Sequence, residues 1–198
     1  MDVISLSWGF PKVIKEIEDA LVTARDRGTV IVASAANHGK RHGIAFPANL
    51  KDCVICIGAA DGNGMTSSFS AQDPELEKYA APGQAVLAAS IANMCRRPWF
   101  NSSWKSCTCA TKRYDGTSIA TPIAAGIAAL FIEYTGQLPN QVKDKSRHEN
   151  MLKLFSKMSK EYPGETYRFL TPWLLLSENG KLWRSEIQTT LDAGKPVT

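Results

Sequence analysis

The chain has 198 residues, of which 44% are hydrophobic and 21% charged. That is enough for a domain with a substantial core, in the balance of an ordinary globular protein. A net charge of +4 argues against a dedicated nucleic-acid binder, and no apolar run is read as long enough to cross a membrane, the longest being Ile123 to Ile132 with Gly126 inside it.

Met1 is followed at once by DVISLSWG, with no basic start and no cleavage site, so no signal peptide is read there. Val3 to Ser7 is a short β-branched strand, closed by Trp8-Gly9. A chain that opens on a core strand is expected to be the later part of something longer. Next, PKVIKEIEDALVTARDRG spaces Val13, Ile17, Ala20, Leu21 and Ala24 as a helix does. Acids crowd its early turns, Arg25 and Arg27 its last, and Gly28 closes it. Thr29 to Ala36, TVIVASAA, is a continuous apolar strand, the pattern of a strand covered on both faces. Strand, helix and strand make a βαβ unit with parallel strands and a right-handed crossover. Cys53 to Ala60, CVICIGAA, reads as a third buried strand and Gln84 to Ser90, QAVLAAS, as a fourth.

An apolar helix headed by Ser118 follows a long polar stretch. Leu138 to Tyr162 holds an amphipathic helix with Met151, Leu152, Phe155 and Met158 on one side. The expectation is an α/β fold with a mostly parallel sheet flanked by helices. Residues 1–160 form its body, and 161–198 a C-terminal extension with no assigned role.

Ligands of such sheets bind beyond the carboxyl ends of the strands. Ser7-Trp8-Gly9, Ala36-Asn37-His38-Gly39 and Ala60-Asp61-Gly62 all fall at such ends. Ser118 has two readings. As an N-cap it satisfies a backbone N–H. As a nucleophile it has backbone N–H groups and the helix dipole where negative charge would form. Asn37 tilts the balance toward catalysis, because its amide ends a buried strand in a glycine-bounded loop and can donate to an oxyanion.

Five stretches together carry a family resemblance. DGTSIATPIAAGIAAL resembles the catalytic-serine motif of subtilases, the subtilisin-like serine proteases. SAANHG resembles their oxyanion-asparagine segment, and VISLSWG their substrate-binding strand. FPANLKDCVICIGAAD and SSFSAQDPELEKYAAPG resemble two further stretches, and all five occur in the family's order. The resemblance implies a subtilisin-like parallel sheet and peptide-bond hydrolysis through an acyl-enzyme. It makes Ser118 the nucleophile and gives the oxyanion to Asn37 and the Ser118 N–H. Substrate backbone would lie along Ser7, Trp8 and Gly9, with Ala35 and Ala36 near the pocket for the residue before the cleaved bond. Phe46-Pro47 matches a place where the family often has a cis proline.

The base and its orienting carboxylate do not match. In subtilisins they precede the serine in the order Asp, His, Ser. Only Met1 and Asp2 stand before VISLSWG, and none of His38, His42 and His148 lies in a catalytic-histidine motif. The chain therefore resembles the C-terminal part of a subtilase catalytic domain, and its sheet is expected to present an unpaired edge. The reading is a serine endopeptidase by family. The alternative is a truncated or degenerate relative that binds peptides or has no function. The expected partners are a peptide or protein substrate and the N-terminal half of the catalytic domain, with no nucleic acid, membrane or cofactor. A third reading, an α/β-hydrolase using Ser118, Asp144 and His148, is opposed by Ala120 where its elbow needs glycine.

Weaker signals remain. Cys53, Cys56, Cys95, Cys107 and Cys109 are an odd set. They suit free thiols and an intracellular setting better than a disulfide framework. Cys53 and Cys56 in one strand would not face a shared zinc ion, so no metal is assigned. Ile91 to Tyr114 is a basic, aromatic-bearing loop, read as a solvated border of the cleft rather than a nucleic-acid surface. Within it, Asn101-Ser102-Ser103 fits a glycosylation sequon.

Overall fold

A computed structural model of the chain describes residues 1–90, 111–136, 146–175 and 182–192. The basic loop up to residue 110, the sequon, Asp144 and three of the cysteines lie outside those residues.

β1 (Val3–Leu6), α1 (Lys15–Asp26) and β2 (Val30–Ser34) form the expected βαβ unit, with β1 and β2 parallel. β3 (Ile55–Ala60) and β4 (Lys78–Pro82) extend it, each parallel to its neighbour. β8 (Arg168–Leu170) joins parallel to β4, and the short β7 (Ser159–Lys160) turns back antiparallel at the far edge. The sheet order is β1-β2-β3-β4-β8-β7, so β1 is an edge strand.

Every residue of β2 and β3 is buried, because helices cover both faces. Side-chain alternation sorts the strands between two cores. Val30, Val32, Ile55, Ile57 and Ala59 face α2 (Thr117–Gly136) and α3 (Ser146–Lys157). Ile31, Ala33, Cys56 and Ala60 face the α1 side with Leu21. α2 crosses the sheet on Ala120, Ala124, Ala128 and Phe131, spaced to share one helix face. The alanines let the helix approach the strands closely. At 20 residues and a mean hydropathy of 1.4, α2 is long and apolar enough to cross a membrane. That corrects the sequence estimate, which counted only its central run; here α2 lies against β1, β2, β3 and β4.

The strand read at Gln84 to Ser90 also needs correction. β5 (Val86–Ala89) pairs antiparallel with β6 (Thr111–Tyr114) in a separate hairpin. Its residues alternate between half-buried and exposed, with Leu87 outward, as expected of a two-stranded ribbon that no described element covers. The fourth strand of the sheet is β4. Residues beyond 161 enter the same body: Leu170 and Leu175, with Ile187 and Leu191 of α4 (Leu182–Asp192), share the core of α2 and α3.

Candidate active site

All four parallel strands β1 to β4 end on one side of the sheet, and α2 begins there. β4 runs through Pro82 into Gly83. The Gly116 N–H donates to Gly83 O at 2.8 Å. A side chain at Gly83 would sit 2.6 Å from Ala59 Cβ and 3.0 Å from Ala120 Cβ, so only glycine lets the helix start close over β3 and β4. Asp115 Oδ1 accepts the Ala85 N–H at 2.6 Å and ties the turn before the helix to the hairpin.

Ser118 falls in the first turn of α2, half-buried. Asn37 follows β2 on an exposed loop. Ala36 before it has φ +93°, a left-handed conformation uncommon for a residue with a side chain. Backbone bonds hold the loop there. Ala35 N–H donates to Ile57 O at 2.9 Å, Ala71 N–H to Ala36 O at 3.1 Å, and Gly39 N–H to Phe69 O at 2.8 Å.

The two segments meet through Thr117. Its N–H and its hydroxyl both donate to Asn37 Oδ1 at 2.9 Å. This fixes the amide, since the oxygen is used by two donors and the NH2 end faces the other way. A Cβ built on Gly116 would lie 3.1 Å from Ser118 Oγ and 3.3 Å from Asn37 Nδ2. The serine hydroxyl and the amide nitrogen therefore converge on one small space, kept open by a glycine with φ +145°. Among the described residues neither Ser118 Oγ nor the Ser118 N–H takes a hydrogen-bond partner.

Ser7, Trp8 and Gly9 are exposed beyond the end of β1. Phe10 N–H and Phe46 O pair at 2.8 Å, and Phe46 N–H and Phe10 O at 3.0 Å. These bonds pin the segment beside the cis Phe46–Pro47 bond. Ser7 Oγ donates to Ser118 O at 2.9 Å. Ala35 is buried and Ala36 half-buried beside Asn37.

Asp2 and His148 lie at the other end of the sheet. Asp2 accepts from Arg147 Nη1 at 2.8 Å, and the same nitrogen donates to Gly28 O at 3.1 Å. This is the amino end of β1 and β2, opposite Ser118. His148, one residue further along α3, is 3% exposed, and among the described residues neither ring nitrogen has a hydrogen-bond partner. Burial lowers its pKa from 6.5 to about 4, with the Arg25 charge adding to the effect. It is a core histidine a strand's length from Ser118, so the hydrolase reading through His148 is overturned. His38 is on the correct side, but its Nε2 pairs with Gly43 O at 2.9 Å, and its ring meets His42 edge-on at 5.2 Å.

Sequence reasoning had no part for Thr117, for the Ser7 hydroxyl or for the crowding at Gly116. The small residues of DGTS were visible, but which atoms they would meet was not.

The class is thus an α/β fold with a serine at the head of its central helix and an asparagine loop meeting it above the carboxyl ends of a parallel sheet. The description of the subtilase family matches residues 1–161, and the chain belongs to that family. Subtilisin DY of Bacillus licheniformis is 34% identical over 149 residues, covering 73% of this chain and 48% of that protein. Serine protease AprX of Bacillus subtilis (strain 168) is 30% identical over 165 residues, covering 73% and 36%. Among solved structures, the patellamide maturation protease PatA superposes with a TM-score of 0.66 at 23% identity, covering 98% of this chain and 64% of that one. That likeness is one of fold. The chain spans about half, or less, of the length of these curated relatives.

Proposed function

We propose that the chain carries the nucleophile and oxyanion half of a serine endopeptidase site acting on peptides or proteins. The observation behind this reading is the convergence of Ser118 Oγ and Asn37 Nδ2 on one space, 3.1 and 3.3 Å from a common point. In the reaction, Ser118 Oγ attacks the substrate carbonyl carbon and its proton passes to a base. The carbonyl oxygen takes up negative charge and accepts from Asn37 Nδ2 and the Ser118 N–H. The tetrahedral species then expels the amine and leaves an ester on Ser118, which water hydrolyses. An asparagine donor of this kind is worth roughly 3–4 kcal/mol in the transition state, a size carried over from a subtilisin. Substrate backbone lies along Ser7, Trp8 and Gly9, with the preceding side chain toward Ala35 and Ala36.

The Ser118 proton is assigned to none of the described histidines, since His148 is buried in the core and His38 Nε2 pairs with Gly43 O. A subtilase segment bearing the Asp and His, joined to this chain or supplied separately, completes the site. The same observation favours the second reading, in which the chain binds peptides without cleaving them. A fluorophosphonate probe separates the two. The first expects labelling that is lost in Ser118→Ala and increases when a subtilase segment with the Asp and His is added. Absence of labelling in both conditions, on a chain shown to be folded, would refute the protease reading.

A further inference from the structure

A helical carbonyl accepts from the N–H four residues on. For Ser118 that residue is Pro122, inside α2, and proline has no N–H. The regular donor to the Ser118 carbonyl is therefore missing at the residue whose placement the reaction depends on. Thr121 cannot fill the gap with its hydroxyl, which donates to Thr117 O at 2.7 Å. The Ser7 hydroxyl does, at 2.9 Å and across 111 residues of chain. Ser7 is itself well anchored. β1 precedes it, and after it Gly9 lies so close to Ala45 that a side chain there would come within 2.9 Å of Ala45 Cβ.

We propose that Ser7 is a positioning residue. Its hydroxyl replaces the helical donor that Pro122 lacks, and so locks the Ser118 peptide to the segment along which substrate lies. Without that bond the Ser118–Ile119 peptide plane is held only through the Ile119 N–H, which donates to Gly116 O at 3.0 Å, and the Ser118 Cα, which carries Oγ and joins that plane to the Ser118 N–H, loses a fixed point. This role is separate from the backbone contacts of Ser7 with substrate. Its kinetic consequence rests on Ser118 being the nucleophile, but the hydrogen bond does not.

The test is a double-mutant cycle on the full 198-residue chain, because Pro122→Ala restores the missing N–H. Urea midpoints and fluorophosphonate labelling rates are measured for wild type, Ser7→Ala, Ser7→Thr, Pro122→Ala and the Ser7→Ala/Pro122→Ala pair. With Pro122 present, Ser7→Ala is expected to slow labelling about threefold to tenfold, the size of one hydrogen bond, and to lower the midpoint. In the Pro122→Ala background, the same change has less than half that effect on both readings. Ser7→Thr, which keeps a hydroxyl, stays near wild type. Equal effects of Ser7→Ala in both backgrounds would show a merely structural serine and overturn the proposal, as would no effect beside Pro122. Coupling in the midpoints but none in the labelling overturns the positioning role. If wild type labels neither alone nor with an added subtilase segment bearing the Asp and His, the nucleophile reading has failed; the midpoints then judge the bond alone, and additive values overturn it.

Discussion

His148 gives the most direct test of how the core is built. Both its ring nitrogens are buried and take no hydrogen-bond partner among the described residues, so no described group replaces the water lost by the charged form. Its pKa falls from 6.5 to about 4, chiefly through burial, with Arg25 adding to the effect and Asp52 opposing it. The sign follows from linkage. A histidine depressed in the folded state binds a proton more readily when unfolded, so protonation favours unfolding. Nothing is lost above the unfolded pKa of 6.5, and the loss grows as pH falls toward the folded value of about 4. At about 1.4 kcal/mol per pKa unit, the loss across that window is about 3 kcal/mol. This is a large share of the ~5–15 kcal/mol that holds a domain folded. Urea denaturation at intervals from about pH 7.5 to about pH 4 reads it directly. Wild type should lose about 3 kcal/mol more over that range than His148→Leu, which has no proton to bind. A leucine variant with the wild-type pH slope would refute the reasoning and move the acid sensitivity to other groups.

Gly116→Ala forces φ +145° on a residue with a side chain and puts a methyl into the space shared by Ser118 Oγ and Asn37 Nδ2. It should cost about 1–3 kcal/mol of stability and abolish fluorophosphonate labelling; labelling at the wild-type rate would mean that the space is not used. Phe131→Ala empties a fully buried site under α2 and should lower stability by about 3–5 kcal/mol in urea melts, whereas a loss under about 1 kcal/mol would mean α2 does not depend on that face. Burial pushes the Cys53 thiol up to about 11 and the Cys56 thiol higher still. Both should therefore stay unmodified by iodoacetamide in native buffer near neutral pH and react in urea, as peptide mass mapping will show, and native modification would contradict the packing of β3 for Cys56 or of the turn before it for Cys53.

How legible the fold was depended on how much of each element's pattern was local. β2 and β3 declared themselves because a strand covered on both faces is apolar throughout. β4 did not, since Lys78 stands at its head. The lysine is nonetheless buried. Its ammonium lies 5.4 Å from the centre of the Tyr167 ring and donates to Asp73 O, so the charge has partners that no pattern in KYAAP could reveal. β8 is three residues long, and its place beside β4 follows from the burial of Tyr167, Phe169 and Leu170. In QAVLAAS the apolar residues suggested a core strand, but its pairing partner is the polar TKRY. That choice is tertiary, and the tertiary environment decides strand placement more often than propensity does.

The site divides along the same line. Ser118 and Asn37 could be singled out because each sits where an element begins or ends beside a glycine, and motif order linked them. What those motifs could not supply is the geometry between them, which lies in single atoms. Thr117 gives two donors to one oxygen of Asn37, 80 residues away. Turning that amide over would present its NH2 to the Thr117 N–H, donor against donor, and withdraw the amide's donor end from the space beside Ser118. The orientation of Asn37 is thus set by a neighbour of the serine rather than by its own loop. The carbonyl of the serine, in turn, is held by Ser7 from the sheet edge. The serine and asparagine belong to one rigid unit because helix start, strand end and edge segment each satisfy a polar group that another leaves open. A substitution at Thr117 or Ser7 should therefore disturb the site without touching either residue that the sequence motifs pick out.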